Sequence, residues 1–333
     1  MRSQSGTCAR LASAETPNPV IADVVEAHIL PRFQSLADTS AQLATAAQSD
    51  CSPASPALRA AYGAAFDAWI AANHLRFGPT EIADRAYALA FWPDSRSATP
   101  RTLASLIAAL DPVATSPESY AQVSIAARGF YAMELLIYDD SLTENADAAY
   151  TCMMMQTMAA DIAATSVDIL TDWQPDYAEK LRAPTDAGPY RSDAEVLQEL
   201  LKTLSTGLEF TSEVRLGRPL GTLERPRPTR AESWHAGRSA RHVALSLTSL
   251  RDLGQRLSQS DPALQSQIDM GFASALAQLA TLDDPVFAGV ATPQGRLKIE
   301  IIKQSVDAVR AVTRDRLGPA LGVAAGFNAL DGD

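Results

Sequence analysis

The apolar stretch between residues 130 and 138 contains one charged side chain, Glu134. If the stretch is helical, Glu134 shares a stripe with Arg128, Tyr131 and Tyr138, because these residues follow one another at intervals of three, three and four. A carboxylate buried among apolar side chains has to be paired with a cation, protonated or bound to a metal ion. Glu134 is therefore a candidate ligand-site or metal-site residue, and a surface ion pair with Arg128 is the simpler alternative.

A second polar segment spans residues 230–242 and is predicted to be helical. Its polar face is expected to hold four residues at helical spacing: Glu232, His235, Ser239 and His242. Glu-x-x-His is also the spacing of di-iron carboxylate bundles, but those need a second copy of the motif and two further glutamates. This chain has four histidines and no second copy, so a ferritin-like di-iron centre is not expected. Arg238 and Arg241 suit either a bound carboxylate or phosphate, or ion pairs with an acidic neighbour.

Other catalytic templates are missing from the sequence. It contains no H-E-x-x-H, G-x-S-x-G, Walker or G-x-G-x-x-G motif. His74 is interpreted as a residue at a helix end rather than as a base. The sequence therefore offers no ready assignment of a catalytic residue.

The three cysteines allow one disulfide and one remaining thiol. Cys51 and Cys152 each lie near a predicted helix end, so a bridge between them would join the first helical hairpin to a later, methionine-rich helix. Such a bridge would contribute about 2–4 kcal/mol and implies an oxidising compartment. Two free buried thiols are the alternative, and Cys8 remains unpaired in either case.

Composition limits the classes of protein that can position these residues. The chain has 333 residues, of which 47% are hydrophobic and 6% aromatic, and its formal net charge is −11. A charge of this sign argues against a nucleic-acid or anionic-membrane partner, because both require clustered lysine and arginine. No run of 18 apolar residues is present, so no transmembrane segment is predicted. The first ten residues also lack the apolar core of a secretory signal.

Helical periodicity dominates the chain, and we expect an all-α fold of two helical bundles. Residues 1–18 are predicted to be a disordered tail, residues 19–185 the N-terminal bundle and residues 186–333 the C-terminal bundle. Pro31 is expected to kink the first helix, Asp193 to cap a later one, and the proline-rich residues 217–229 to be non-helical. Helices are predicted at residues 20–48, 56–74, 102–110, 119–138, 147–173, 193–215, 230–258, 262–282 and 293–316.

Five short segments together resemble the imelysin-like (peptidase M75) family of exported bacterial proteins, and most closely the branch described as predicted periplasmic lipoproteins. They run from about residue 20 to the C-terminus, in matching order and spacing: residues 76–79, 91–94, 129–134, 232–241 and 326–333. The resemblance implies two helical bundles with a site in the cleft between them. It also implies a role in iron uptake or regulation, or for some members in proteolysis.

The signature of that family is Gly-x-His-x-x-Glu. Gly129 and Glu134 match it, but the histidine position is occupied by Tyr131. A phenol is a poor zinc ligand beside an imidazole, and its pKa near 10 makes it a poor base at neutral pH. Because tyrosinate can bind ferric iron, the substitution favours iron over zinc and weakens the peptidase interpretation. His235 is the residue we expect to bring an imidazole into the cleft.

The resemblance and the residue patterns lead to one main expectation and two alternatives. The main one is an exported, non-enzymatic protein that binds a small ligand or iron, with Glu134 as the metal ligand. The expected partners are the ligand and other envelope proteins of iron uptake. The expected location is the periplasm, or the outer membrane through a lipoprotein anchor, with the signal outside this chain. The alternatives are a metallopeptidase and a cell-envelope interaction scaffold. The cleft is expected to be lined by Gly129, Tyr131, Glu134, Arg76, Trp92, Asp94, His235, Arg238, Asn328 and Asp331.

Overall fold

A computed structural model describes residues 17–323, and this part of the chain is all-α, as expected. Within it no strand occurs, and the one β-type contact is an isolated antiparallel bridge between Ala90 and Gly129. The helices are α1 (Pro19–Val24), α2 (Leu30–Ser49), α3 (Pro56–Ala72), α4 (Arg85–Leu89), α5 (Ala98–Ala109), α6 (Pro117–Tyr120), α7 (Gly129–Tyr138), α8 (Asp140–Thr143), α9 (Ala148–Asp172), α10 (Ala178–Arg182), α11 (Asp193–Glu209), α12 (Gly217–Leu220), α13 (Ser239–Leu257), α14 (Pro262–Ala280), α15 (Pro293–Val312) and α16 (Gly318–Ala320).

The first helical rod consists of α1 and α2, joined by a π-helical turn at Val25–Ile29. Asn18 begins the rod by accepting a hydrogen bond from the backbone N–H of Val20 at 3.0 Å. Pro31 lies in the first turn of α2 and has no backbone N–H to donate. The wider π turn directly before it accommodates the loss of that hydrogen bond. The distortion expected at Pro31 is therefore a π turn that contains His28.

Helices α3 and α9 pack against α2 and form the centre of the N-terminal half. Ser55 caps α3, whose first residue is Pro56. A disulfide joins Cys51, which follows α2, to Cys152 in the first turns of α9, with the two Cα atoms 5.2 Å apart. The bridge interpretation of these two cysteines is confirmed. Cys8 lies outside the described residues, as do residues 1–16 of the predicted disordered tail.

Helices α11, α13, α14 and α15 pack together in the C-terminal half. The cap of α11 is Ser192, whose hydroxyl accepts from the N–H of Glu195, and the expected cap residue Asp193 is instead the first helical residue. Buried apolar side chains of both halves form one connected core, from Phe33 and Phe66 to Leu250 and Phe272. The boundary between residues 185 and 186 stays a prediction. None of the described helices combines the length and apolar character needed to cross a membrane.

The expected helix over residues 119–138 is wrong in its first half, because α7 begins only at Gly129. Gly129 has φ +75°, and a Cβ atom there would lie 2.1 Å from the carbonyl oxygen of Leu89. A glycine is therefore required where the chain bridges to Ala90. Arg128 is extended and does not share a helical stripe with Glu134. Its guanidinium instead binds the carboxylate of Asp161 with two hydrogen bonds of 2.7 and 2.9 Å.

The expected helix over residues 230–258 is also wrong at its start, because α13 begins at Ser239. Residues 231–238 form consecutive turns with left-handed backbone at Ser233 and Gly237. Glu232 and His235 consequently do not share a helical face with His242. The prediction that residues 217–229 are non-helical is wrong for Gly217–Leu220, which form the short helix α12.

Candidate functional site

A buried polar cluster lies between the two halves of the chain. Its central residue is Glu232, in the turns before α13. Tyr131 of α7 donates its hydroxyl hydrogen to Oε1 of Glu232, and Nε of Arg215 donates to Oε2 at 2.6 Å. Nδ1 of His242 lies 3.3 Å from the same Oε2. We call these four residues the Glu232 cluster, and each is more than nine-tenths buried.

Charge in the Glu232 cluster is confined to one ion pair. Burial alone would raise the pKa of Glu232, but the charge of Arg215 and the contacts of His242 hold that pKa at about 2. Burial, together with the charge of Glu232, raises the pKa of the Tyr131 hydroxyl well above its usual range. Burial also lowers the pKa of His242. At neutral pH the cluster is therefore an ionised Arg215–Glu232 pair flanked by a neutral phenol and a neutral imidazole.

A cavity of about 520 Å³, the first cavity, opens beside this cluster. Arg215 is 1% exposed, and its Nη2 has no hydrogen-bond partner among the described residues. The same holds for the hydroxyl of Thr206. Unpaired buried donors cost free energy, and an acceptor that reached these two groups would remove that cost. Six aromatic side chains also line the cavity, together with the cation Arg76, the carboxylate Glu232 and the imidazole of His74; the aromatic residues are Trp69, Tyr87, Phe91, Trp92, Tyr131 and Phe210.

A second cavity of about 310 Å³ adjoins the first, and Trp92 and Tyr131 line both. The two rings are stacked with their centroids 6.0 Å apart, so they form the partition between the cavities. The guanidinium group of Arg218 lies over the ring of Trp92, 5.7 Å from the ring centroid. The second cavity is mixed in charge, since its lining includes Asp94, Glu134, Asp139, Arg218, Arg230 and His235.

Glu134 is 3% exposed and accepts a hydrogen bond of 2.9 Å from the backbone N–H of Ala236. Burial raises the pKa of its carboxyl group to about 7, against the hydrogen bonds from Ala236 and Ser233. A carboxyl group with this pKa is half protonated at neutral pH. Nowhere between residues 17 and 323 do three histidine, cysteine, aspartate or glutamate side chains come together in a group that could hold a metal ion.

The sequence-predicted site residues fall into several groups. Arg76 lines the first cavity, Asp94, Glu134 and His235 line the second, and Trp92 and Tyr131 line both. Gly129 lines neither cavity and shapes the start of α7 instead. Asn328 and Asp331 lie outside the described residues.

Two of the predicted residues have roles other than those expected. Arg238 lines neither cavity, because its Nη2 binds the carboxylate of Asp67 and the carbonyl oxygen of Gly63. Arg241 binds the same carboxylate, so the ion-pair interpretation of these two arginines describes what is found. His235 stacks on Trp234, and the imidazole that reaches Glu232 belongs to His242.

Sequence reasoning missed several residues of the first cavity, among them the polar residues Arg215 and His74. Arg215 was taken only as the last residue of a helix, and nothing in its neighbourhood in the sequence marks it as buried. His74 was interpreted as a helix-end residue; it does follow α3, but it lines the cavity and is 6% exposed. The signal available for either residue was weak, because each lies far along the chain from its contacts.

The fold and the cleft define an imelysin-type protein. The sequence profile of the Imelysin family, Peptidase M75, matches residues 29–313, and the chain belongs to this family. Among curated relatives, "Iron-regulated protein A" of Synechococcus elongatus is 26% identical over 323 residues, which cover 88% of this chain and 83% of the relative.

Two solved structures share the fold. An imelysin-like protein from Psychrobacter arcticum superposes with a TM-score of 0.74 at 20% identity, covering 92% of this chain and 96% of that protein. An iron-regulated protein A precursor from Parabacteroides distasonis also gives a TM-score of 0.74, at 13% identity, covering 92% and 97%. The expectation of the imelysin family is confirmed, and the lipoprotein branch stays a prediction.

Proposed function

We propose that this protein is an exported, non-enzymatic binding protein that holds a small organic ligand in the first cavity and takes part in iron acquisition. One observation carries the proposal. Arg215 is fully buried and is among the residues that line a cavity of about 520 Å³, and no described residue accepts a hydrogen bond from its Nη2. A ligand oxygen bound at Nη2 would supply the missing acceptor.

The lining of the first cavity indicates the chemistry of the ligand. Its volume lies in the range of small-molecule sites, about 300–1,000 Å³. Trp92, Phe91, Tyr87 and other rings favour a planar apolar body, because aromatic faces stack. Arg215 favours a carboxylate or another oxygen acceptor at one end of that body. We therefore propose an aromatic carboxylate, free or as part of a ferric chelate.

The names of relatives support the link to iron, since two of them are described as iron-regulated protein A or its precursor. We propose that iron reaches the site as cargo of the organic ligand. The predicted role of Glu134 as a metal ligand remains a separate proposal. Because the pKa of its carboxyl group is about 7, direct iron binding there would strengthen between pH 6 and pH 8. Iron titrations of wild type and Glu134→Gln at the two pH values test it.

The location and the partners are proposals of the same kind. The disulfide between Cys51 and Cys152 supports an oxidising compartment, and we propose the periplasm, free or lipid-anchored. Other envelope proteins of iron uptake are the proposed partners. We also propose two bundles, residues 19–185 and 186–333. The position of the first cavity supports this division, since Trp92 and Tyr131 line it from one side of the boundary and Arg215 from the other.

The test compares ligand binding by the wild-type protein, in which the first cavity is open, with binding by a variant in which a larger side chain fills it. Benzoate, 2,3-dihydroxybenzoate and citrate, each with and without equimolar Fe³⁺, are titrated calorimetrically into wild type, Thr206→Trp and the matched control Thr45→Trp. Thr206 lines the cavity, whereas Thr45 is exposed on α2. At a concentration of 100 times Kd, a bound ligand stabilises the folded state by about 2.7 kcal/mol, so melting temperatures provide a second readout.

We expect an aromatic carboxylate to bind wild type and Thr45→Trp equally and Thr206→Trp at least about tenfold more weakly, because the indole occupies the space of the ligand. Binding that is the same in all three proteins would refute the location of the site. The absence of binding across the whole panel would refute the proposed ligand class.

A further inference from the structure

A chain of three side chains connects the first cavity with the surface. His74 lines the cavity, and its Nε2 lies 2.8 Å from Nε2 of His28 in the π turn between α1 and α2. Nδ1 of His28 lies 2.7 Å from Oδ2 of Asp252 on α13. His28 is fully buried, while the side chain of Asp252 is 32% exposed. These three residues come from separate elements of the fold and form one continuous hydrogen-bonded series.

The direction of each hydrogen bond in this series follows from the group at its outer end. The Asp252 carboxylate can only accept hydrogen bonds, so Nδ1 of His28 carries the hydrogen. In a neutral ring, Nε2 of His28 is then a lone pair and has to accept. Nε2 of His74 therefore carries the hydrogen that it donates. Nδ1 of His74 is then left as a lone pair.

Burial keeps both rings of the series neutral, with the neighbouring arginines acting in the same direction. Asp252 accepts hydrogen bonds from Arg32 at 2.9 Å and from Arg256 at 3.0 Å, and Arg256 also binds Asp23. Burial lowers the pKa of His28 to about 4, although the hydrogen bond to Asp252 opposes the decrease. Burial lowers the pKa of His74 well below its usual range, and His28, Arg32 and Arg215 act in the same direction.

Gly207 on α11 leaves the space into which His74 and Leu250 pack. A Cβ atom at Gly207 would lie 3.1 Å from Cβ of His74 and 2.6 Å from Cδ2 of Leu250. Packing thus fixes the place of His74 while Asp252 and His28 fix its tautomer.

We propose that the Asp252–His28–His74 series presents His74 to the first cavity as an obligate hydrogen-bond acceptor, so that the ligand carries an O–H or N–H donor in addition to its oxygen acceptor for Arg215. This inference rests on the proposed function, since it narrows the class of ligand from aromatic carboxylates to hydroxy- or amino-substituted ones. Asp252 and His28 are positioning residues that act through His74.

The first test is the tautomer of His74 in the full-length protein, measured by ¹⁵N NMR of the histidine rings at pH 7. The chain has four histidines, so single substitutions assign every signal. We expect hydrogen on Nε2 of His74 and on Nδ1 of His28, and a shift of the His74 Nδ1 signal when a donor ligand binds. Hydrogen on Nδ1 of His74, or a doubly protonated ring, would overturn the inference whatever the ligand results are.

The second test compares ligands that differ in the donor. We expect 3- or 4-hydroxybenzoate to bind wild type at least about tenfold more tightly than benzoate and the corresponding methoxybenzoate, which lack the O–H group. His28→Leu frees His74 to adopt either tautomer, and the preference for hydroxybenzoate over methoxybenzoate should fall to about twofold. Gln42→Leu, an exposed position on α2, should keep the full preference.

The two hypotheses fail in distinguishable ways. If the benzoates bind but hydroxyl and methoxy derivatives bind equally, the donor requirement is refuted while the proposed function stands. If no benzoate binds, the proposed function fails, and the inference fails with it as a statement about the ligand. Should His28→Leu not fold, the ¹⁵N measurement and the comparison of ligands on wild type still decide.

Discussion

Replacement of Glu232 by glutamine should destabilise the protein by about 3–5 kcal/mol, because it leaves the buried charge of Arg215 without a counter-ion. Glu232 and Arg215 are each 1% exposed, and the distance from Nε to Oε2 is 2.6 Å. The pKa of Glu232 gives a second measure. It is about 2 in the folded protein against 4.5 without perturbation. At about 1.4 kcal/mol for each pH unit between the two values, the folded structure stabilises the carboxylate by about 3 kcal/mol.

The contribution of Glu232 to the free energy of unfolding changes with pH in a definite direction. A carboxyl group whose pKa is depressed on folding contributes stability above its unfolded pKa. The free energy of unfolding of wild type should therefore exceed that of Glu232→Gln by the full amount above about pH 4.5. This difference should decrease as the pH falls towards 2. This window lies well below neutral pH, so measurements at pH 7 record the whole effect.

The assay is urea unfolding followed by far-UV circular dichroism at pH 7, with Glu224→Gln as the matched control. Glu224 is exposed, so its substitution should change the free energy of unfolding by less than about 0.5 kcal/mol. The double variant Arg215→Met/Glu232→Gln removes both charges and should be more stable than Glu232→Gln alone. A loss below about 1 kcal/mol for Glu232→Gln, or a double variant less stable than the single one, would refute the account.

Three further predictions concern stability. Glu134→Gln should raise the free energy of unfolding by about 3 kcal/mol above pH 7 and by almost nothing near pH 4.5. The reason is that burial raises the pKa of the carboxyl group from 4.5 to about 7. Equal effects at pH 4.5 and pH 8 in urea titrations would contradict this. Gly129→Ala should lower the free energy of unfolding by at least about 2 kcal/mol more than Gly237→Ala, since both glycines have positive φ but only Gly129 faces backbone oxygen atoms. The melting temperatures of the two variants test this difference. Reduction of the Cys51–Cys152 disulfide, which closes a loop of 101 residues, should cost about 2–5 kcal/mol; reductant should lower the melting temperature of wild type and leave Cys51→Ser/Cys152→Ser unchanged.

Three helix starts were predicted at the correct residue, each where a cap precedes a proline. Ser55 before Pro56, Asp261 before Pro262 and Thr292 before Pro293 begin helices α3, α14 and α15 at the predicted residues. In each case the capping side chain and the fixed φ of proline act within a few residues of one another, so the information is local. The family and the disulfide were also predicted, the first from short segments in order and the second from the cysteine positions.

The two misplaced helix starts have one physical cause. Gly129, Ser233 and Gly237 adopt left-handed backbone, and the apolar periodicity of their neighbourhood does not record this. At Gly129 the conformation is required by the contact with residues 88–90, which lie about forty positions earlier in the chain. Tertiary contact therefore overrides local helical preference at Gly129, and both misplaced starts border the Glu232 cluster.

The sequence by itself indicated the helical class, the starts of several long helices, a bridge between Cys51 and Cys152 with free thiols as the alternative, and the motif in which Tyr131 stands where the family has histidine. Only the tertiary structure decided which side chains share a site. His28 and His74 are 46 residues apart, and His28 and Asp252 are 224 residues apart. Arg215 and Glu232 belong to separate elements joined by an irregular segment. Periodicity describes which face of a helix is buried, but the partner of each buried polar group is fixed by how the helices pack.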